Sequence, residues 1–514
     1  MRYPSQYNAA FDMVDRHVAE GRGDKPAFID PARTLTYAEF ANESGRVSGL
    51  LKAFGIAPES RVALLLLDTV DFPIVFWGAI KAGVIPVALN TLLNTEQYGY
   101  ILDDSRARAL VVSAQLLPVV QPVLGKLPSL THVIVSGGEA PAFGFALAKE
   151  LAGQPVETRI APTAADEVAF WLYSSGSTGM PKGVRHVHTS MMDTARLYGR
   201  GVLGITADDV VFSAAKLFFA YGLGNGMSFP LAVGATTVLL PERPTPDSVL
   251  RTLKTHQPTI FFGVPTLYTA MLASPDTSPA NGSARLRLCV SAGEALPAEI
   301  GKGWKARMGI DILDGVGSTE MLHIYVSNRR DDIRYGTSGK PVPGYDIRLI
   351  DENGAPTPVG EVGEMIVRGP TAAEGYWNQR EKSRRTFEGE WMRTGDKYTC
   401  DADGYYTYAG RTDDMFKVSG IWVSPFEVES ALVGHEAVLE AAVVPHEDGD
   451  GLLKPKAFVV LKAGHTPGVG LDAQLQELVK SKAGPWKYPR WVTYVEALPK
   501  TATGKIQRFK LRSN

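Results

Sequence analysis

Short apolar runs alternate with amphipathic stretches from Phe28 to about Gly410, as where Arg61–Leu67 is followed by Phe72 to Ala82. A strand-length run before a helical period predicts α/β layers. Between Gly354 and Gly369 the chain is rich in Gly, Pro and Val with alternating patterning, which predicts hairpins and a small β-rich unit. The polar, glycine-bounded stretch Gly410–Gly420 is the best candidate boundary, dividing the chain into 1–410 and 411–514. Beyond it, Ser424-Pro425-Phe426-Glu427 predicts a capping box with Pro at the first helical position and a buried stripe of Val428, Ala431 and Leu432. A second helix should carry Leu471, Leu475, Leu478 and Val479 on one face and stop at Gly484-Pro485, with a strand at Ala457–Leu461 between the two. No internal repeat or low-complexity tract interrupts this layout.

At 514 residues the chain is too long for one ordinary core, so two to four folding units are expected. A net charge of -2, with 45% hydrophobic and 21% charged residues, offers no bulk attraction to nucleic acid or anionic lipid. Met1 to Asp15 lacks a basic segment followed by an apolar core, and no later apolar run approaches the roughly 20 residues of a spanning helix. The expectation is a soluble cytoplasmic enzyme with no nucleic-acid or membrane partner. Cys289 and Cys400 are the only cysteines, and neither they nor the histidines have metal-ligand spacing, so neither a disulfide framework nor a zinc site is predicted. From Lys480 onward nine Lys or Arg residues face the single acid Glu496, a basic edge that reads either as a solvated surface or as a face for nucleotide phosphates.

Four clusters carry candidate chemistry. Tyr173-Ser-Ser-Gly-Ser-Thr-Gly-Met-Pro-Lys-Gly183 follows the strand-like run Val168 to Leu172. Its glycines let backbone N–H groups approach an anion, the hydroxyls of Ser174, Ser175, Ser177 and Thr178 add donors, and Lys182 adds charge. Met180-Pro181 separates Gly179 from Lys182, so this is not a Walker A loop. Asp314-Gly-Val-Gly-Ser-Thr-Glu320 offers a hydroxyl at Thr319 and a hard oxygen at Glu320, suited to Mg2+ with a phosphate, although a Thr-Glu pair after a turn also reads as a helix N-terminus. Arg393-Thr-Gly-Asp396 and Gly410-Arg411 bring a carboxylate that could accept both ribose hydroxyls and a guanidinium for a phosphate or ribose oxygen, and each is also a plausible turn residue. Last, Leu498 to Arg508 places Lys505 on a glycine-bearing loop, where a cation could offset charge developing on a carboxylate and an α-phosphate.

Together these clusters, in this order and over essentially the whole chain, resemble the adenylate-forming superfamily of acyl-CoA synthetases, luciferases and peptide-synthetase adenylation domains. The resemblance implies a large N-terminal part of two α/β subdomains plus a small β-barrel, with a small α+β C-terminal lid. It assigns Ser174, Ser175, Gly176, Ser177, Thr178, Gly179 and Lys182 to the phosphate loop, with Thr178 also in a catalytic role. Gly293, Glu294 and Ala295 become the adenine wall, with Asp314 and Gly315 also at the nucleotide. Thr319 and Glu320 become the phosphate and Mg2+ contacts, Asp396 and Arg411 the ribose contacts, and Lys505 the catalytic lysine of adenylation. Asp413 matches the hinge, about which the lid rotates to bring Ser419, Gly420 and Trp422 to a coenzyme A tunnel. ATP, Mg2+ and coenzyme A are the implied cofactors. The resemblance also leaves room for a homodimer and for a lysine acetyltransferase acting on Lys505.

Within the superfamily, Lys216–Asn225, Gly317–Ile324 and Pro499–Arg512 are most similar to benzoate-CoA ligases and their 4-hydroxybenzoate-using relatives. By family position Ala220, Tyr221, Gly222, Gly317, His323 and Ile324 line the acid pocket, an uncharged lining suited to a planar ring. His323 either bonds a ring hydroxyl or fills space. Val316 and Phe219 stand where many members have an aromatic residue against adenine and a gating histidine. Alternatives are a ligase for 2-aminobenzoate, an arylalkanoate or a medium-chain acid, a carrier-loading module, and a non-catalytic nucleotide-binding protein on the same fold.

Overall fold

In a computed structural model, the structure describes residues 3–174, 180–412, 414–418, 421–449, 452–500 and 506–512. Residues 175–179, Asp413, Ser419, Gly420 and Lys505, together with the side chain of Trp422, are therefore site assignments that lie outside the described residues.

Two mixed sheets dominate. In the first, seven strands run in the order Phe145–Ala146, His132–Ser136, Ala109–Ser113, Arg61–Leu65, Ile85–Ala88, Val168–Ser174 and Lys182–Val187. In the second, nine strands centre on Leu288–Ser291, Ile260–Gly263, Val210–Ser213 and Thr236–Val238, with Ile312–Gly317 beside the first of these. The inner strands are parallel and buried at every or nearly every position, which is why they read as continuous apolar runs rather than as alternation. The predicted strand and helix after Arg61 are Arg61–Leu65 and Asp71–Lys81. That helix packs on Tyr37–Ala53 where a Cβ at Gly78 would lie 2.5 Å from Val47 Cβ, so the contact depends on the missing side chain.

The small β unit expected near Gly354–Gly369 is a five-stranded antiparallel sheet in which Asp346–Ile350 pairs with Gly363–Arg368 and the long strand Trp391–Cys400 with Tyr406–Arg411. One hydrophobic core joins it to both large sheets, through residues as far apart as Phe76, Phe170, Leu217, Tyr325, Met365 and Tyr406.

From Phe416 onward the chain buries cores of its own, around Val428, Leu432, Val443, Val459, Leu475 and Val479 and around Ala442, Phe458, Leu498 and Leu511. Helices Pro425–Val433 and Val469–Ala483 and a three-stranded sheet form this smaller α+β part. The predicted capping box is only half made. Ser424 Oγ accepts the Glu427 N–H at 3.1 Å, but the Glu427 carboxylate takes Lys487 Nζ at 2.6 Å instead of turning back to the cap. On the second helix Leu475 and Val479 are buried, whereas Leu471 and Leu478 are half-buried. Cys289 sits in the core of the nine-stranded sheet, where burial pushes its thiol up to about 12, and Cys400 is half-buried. Among the described residues, no helix is long and apolar enough to cross a membrane.

Candidate active site

The glycine-rich segment joins two antiparallel strands, with Tyr173 opposite Gly183 and Ser174 opposite Lys182, and the second strand is the sheet edge. Ser174 Oγ is buried and has no hydrogen-bond partner among the described residues, a donor waiting for an acceptor.

The segment 373–377 lies against this edge. Trp377 N–H donates to Gly183 O at 2.8 Å, Val184 faces Tyr376, and Ala373 N–H donates to Glu320 O at 2.8 Å. It delivers Tyr376, a residue that sequence reasoning missed. Tyr376 Oη donates to Glu320 Oε1 at 2.8 Å and accepts from Lys182 Nζ at 2.7 Å, while Lys182 Nζ stands 3.1 Å from the same carboxylate oxygen. Burial works to raise the Glu320 carboxyl, but the Lys182 charge and the Tyr376 hydrogen bond outweigh it and hold the group below its ordinary range. Burial lowers the Lys182 ammonium, and Glu320 opposes that shift.

Asp314-Gly-Val-Gly-Ser-Thr-Glu320 does not open a helix. Residues Ile312–Gly317 continue as strand and turn back antiparallel into Ile324–Ser327, so Thr319 and Glu320 sit in a hairpin turn. Two glycines let it close: a Cβ at Gly317 would lie 2.5 Å from His323 O, and one at Gly315 2.9 Å from Val326 O. His186 pins the turn by donating from Nε2 to Thr319 O at 2.8 Å. It lies four residues beyond Lys182 and so on the same face of the edge strand, a signal the alternation of strand positions could have supplied.

Asp396 and Arg411 are partners across the small sheet, with Arg411 Nη1 donating to Asp396 Oδ1 at 2.9 Å. Asp396 raises the already basic guanidinium further. Their charges and that of Glu320 all bear on the buried Tyr325 hydroxyl. Ser174, Lys182, Thr319, Glu320, Asp396 and Arg411 are thus brought to one locality from three sheets.

The same hairpin turn leads into the residues expected to line an acid pocket. His323 is buried between the rings of Tyr198, Tyr221 and Phe229, and its Nε2 donates towards Tyr221 O at 3.2 Å and Asn225 Oδ1 at 3.1 Å. Asn225 was not singled out from sequence. The histidine therefore uses one nitrogen internally, and burial drives its pKa down to about 3, leaving it neutral. Ile324 and Ala220 are buried, and Tyr221 Oη donates to Gly263 O at 3.2 Å. Gly222 serves the backbone first, since a Cβ there would meet Lys216 O at 2.0 Å. Phe219 and Val316 are half-buried and pack on the main core. Residues 293–295 leave the end of Leu288–Ser291, with Gly293 exposed at φ +95°. Asp314 is buried on the adjoining strand; burial pushes its carboxyl well up, and Oδ2 accepts the Leu296 N–H at 3.4 Å.

His17, His186 and His188 are likewise pushed by burial to about 4. With folded values of about 3 to 4 against 6.5 for the free group, the folded chain resists protonation while the unfolded chain accepts it. The stability these groups contribute is present above pH 6.5 and is lost as pH falls towards 4. Thermal unfolding followed by circular dichroism should show Tm falling through that window, and a flat Tm would contradict the neutral buried histidines.

Among the described residues no group of three or more His, Cys, Asp or Glu could hold a metal ion. One carboxylate with a neighbouring hydroxyl suits a divalent ion shared with phosphate oxygens, the habit of Mg2+. Glu320 and Thr319 fit that role.

The AMP-binding enzyme family matches residues 15–377, and the AMP-binding enzyme C-terminal domain matches residues 427–505. The chain belongs to the AMP-binding enzyme family. Within this AMP-binding family it is 58% identical to the benzoate–CoA ligase of Thauera aromatica, over 100% of this chain and 97% of that one. It is 57% identical to the 4-hydroxybenzoate–CoA/benzoate–CoA ligase of Rhodopseudomonas palustris, over 98% of this chain and 94% of that one. The crystal structure of the anthranilate CoA ligase AuaEII with anthranoyl-AMP superposes with a TM-score of 0.96 at 45% identity, covering 100% of this chain and 98% of that one.

Proposed function

We propose that this AMP-binding family member is an ATP-dependent aryl-carboxylate–CoA ligase of the benzoate or 4-hydroxybenzoate class. One observation carries the reading. A single hairpin turn carries Glu320, tied to Lys182, and the neutral His323, so a buried ion pair lies close in sequence to an uncharged aromatic cluster. A planar aryl acid suits such uncharged surroundings, whereas the ammonium of an amino acid would lose its hydration with no partner.

In the first half-reaction a carboxylate oxygen of the acid forms a bond to the α-phosphorus of ATP, the bond from that phosphorus to the bridging oxygen breaks, and pyrophosphate leaves. Lys182, Ser174 and the glycine-rich loop would hold the phosphates, Asp396 and Arg411 the ribose, residues 293–295 with Asp314 and Gly315 the adenine. Lys505 would offset charge on the transferring group. Mg2+ bound with the nucleotide would neutralise phosphate charge at Glu320 and Thr319. In the second half-reaction the thiol sulfur of coenzyme A bonds to the acyl carbon, the acyl–phosphate bond breaks, AMP leaves, and the thiol proton passes to solvent. We assign 1–410 to the body and 411–514 to a lid turning at Asp413, with Ser419, Gly420 and Trp422 facing coenzyme A and the work done in the cytoplasm.

The second reading is a 2-aminobenzoate ligase, favoured by the shape of the AuaEII relative. ATP–pyrophosphate exchange with benzoate, 4-hydroxybenzoate, 2-aminobenzoate, octanoate and amino acids separates them. Benzoate or 4-hydroxybenzoate should lead, with octanoate and amino acids near background. A lead by 2-aminobenzoate selects the second reading, and no exchange with any aryl acid removes both.

A further inference from the structure

The segment 371–377 fastens the Thr319–Glu320 turn to the edge strand Lys182–Val187. On the turn, Ala373 N–H donates to Glu320 O and Thr371 Oγ1 to Met321 O, both at 2.8 Å. On the edge strand, Glu374 N–H donates to Arg185 O at 2.9 Å, Arg185 N–H donates to Gly375 O at 3.2 Å, and Trp377 N–H donates to Gly183 O at 2.8 Å. Tyr376 lies between these ties, its own N–H donating to Ser383 Oγ at 2.9 Å and its ring packed with Val184 and Phe387. The backbone therefore places this side chain independently of the charges it meets.

Those charges are Lys182 and Glu320. The Tyr376 hydroxyl donates to Glu320 Oε1 at 2.8 Å and accepts from Lys182 Nζ at 2.7 Å, and the ammonium also stands 4.0 Å from the ring centre. Lys182 Nζ and Glu320 Oε1 meet directly at 3.1 Å, so each is the other's counter-charge in a largely buried setting. The proposed function requires them to part, since Lys182 is assigned to a phosphate and Glu320 to the metal–phosphate contact. A neutral hydroxyl suits that change. It has a donor for the carboxylate and lone pairs for the ammonium, so both keep a partner and a fixed direction when the direct pair opens.

We infer that Tyr376 is a positioning residue for MgATP, holding Lys182 and Glu320 through one hydroxyl so that the nucleotide can separate them; this rests on the proposed function. Without the hydroxyl the two charges lean on each other alone, and the nucleotide must break that pair where little water is present to help.

The test is calorimetric titration of the full-length protein with MgATP and no acid. Tyr376→Phe, which keeps the ring and removes only the hydroxyl, should weaken MgATP binding by about tenfold, the scale of a hydrogen bond to a charged group. In pyrophosphate release the KM for MgATP should rise by a similar factor, while the KM for benzoate and the rate of thioester formation from synthetic benzoyl-adenylate stay within about twofold. In a Glu320→Gln background Tyr376→Phe should weaken MgATP binding by less, because the pair it holds is gone. Tyr376→Met, also without a hydroxyl and flexible enough to fill the space, stands in should Tyr376→Phe fail to fold. Unchanged MgATP binding in the hydroxyl-free variant, an equal effect in both backgrounds, or an equal fall in both half-reactions overturns the inference. Wild-type protein that binds MgATP but releases no pyrophosphate with any aryl acid instead overturns the functional reading.

Discussion

Lys505→Ala should lower pyrophosphate release with benzoate and MgATP by at least about 100-fold while thioester formation from preformed benzoyl-adenylate persists. The magnitude is that of removing one group aimed at developing charge in a water-poor site. The asymmetry follows from the proposed division of labour, in which the lysine serves only the phosphoryl step and the lid then turns away. Rapid-quench measurement of the two half-reactions separately checks it. Equal loss in both would show that Lys505 acts on the fold or on both chemical steps, and the two-position account would fail.

Glu320→Gln should be damaging in two ways at once. It removes the carboxylate assigned to the metal–phosphate contact, so pyrophosphate release should fall by about 100-fold or more. It also strands Lys182, whose side chain is only 12% exposed, without its counter-charge, which should cost about 3 kcal/mol of stability. Denaturant titration measures the second effect. The double variant Lys182→Met with Glu320→Gln should regain much of that stability and none of the activity, because the unpaired charge is gone but the ligands are not restored. A single Glu320→Gln variant as stable as the wild type would mean that the buried pair is weaker than its geometry implies.

Elements with a strong period, such as Asp71–Lys81 and the strand into Ser174, stand where patterning places them, because the apolar residues that define the period are those the core buries. Lys182, Glu320, Asp396 and Arg411 stood out because the roles proposed for them, phosphate and ribose contacts, restrict residue type, and the fold brings these four together from separate sheets. Tyr376, Tyr325, His186 and Asn225 were not, because each acts through tertiary contact with a residue far along the chain and none belongs to a composition that chemistry alone would flag. Tyr376 had the best clue, an aromatic pair directly after Gly375 in a polar stretch. The Thr319–Glu320 turn was ambiguous for a different reason. Helix N-termini and hairpins share turn chemistry, and only the strand that follows at Ile324 decides between them. Glu427 shows the converse, where a local capping preference yields to a longer-range ion pair with Lys487.

The central claim is that one site makes an aroyl-adenylate and then an aroyl thioester. Its most direct test is a single-turnover experiment in which enzyme, benzoate and radiolabelled MgATP are mixed without coenzyme A, quenched, and then chased with coenzyme A. The account predicts benzoyl-adenylate and pyrophosphate in equal amounts before the chase, and benzoyl-CoA with AMP at the expense of that adenylate after it. Formation of ADP and phosphate, or thioester appearing without a prior adenylate, would contradict it.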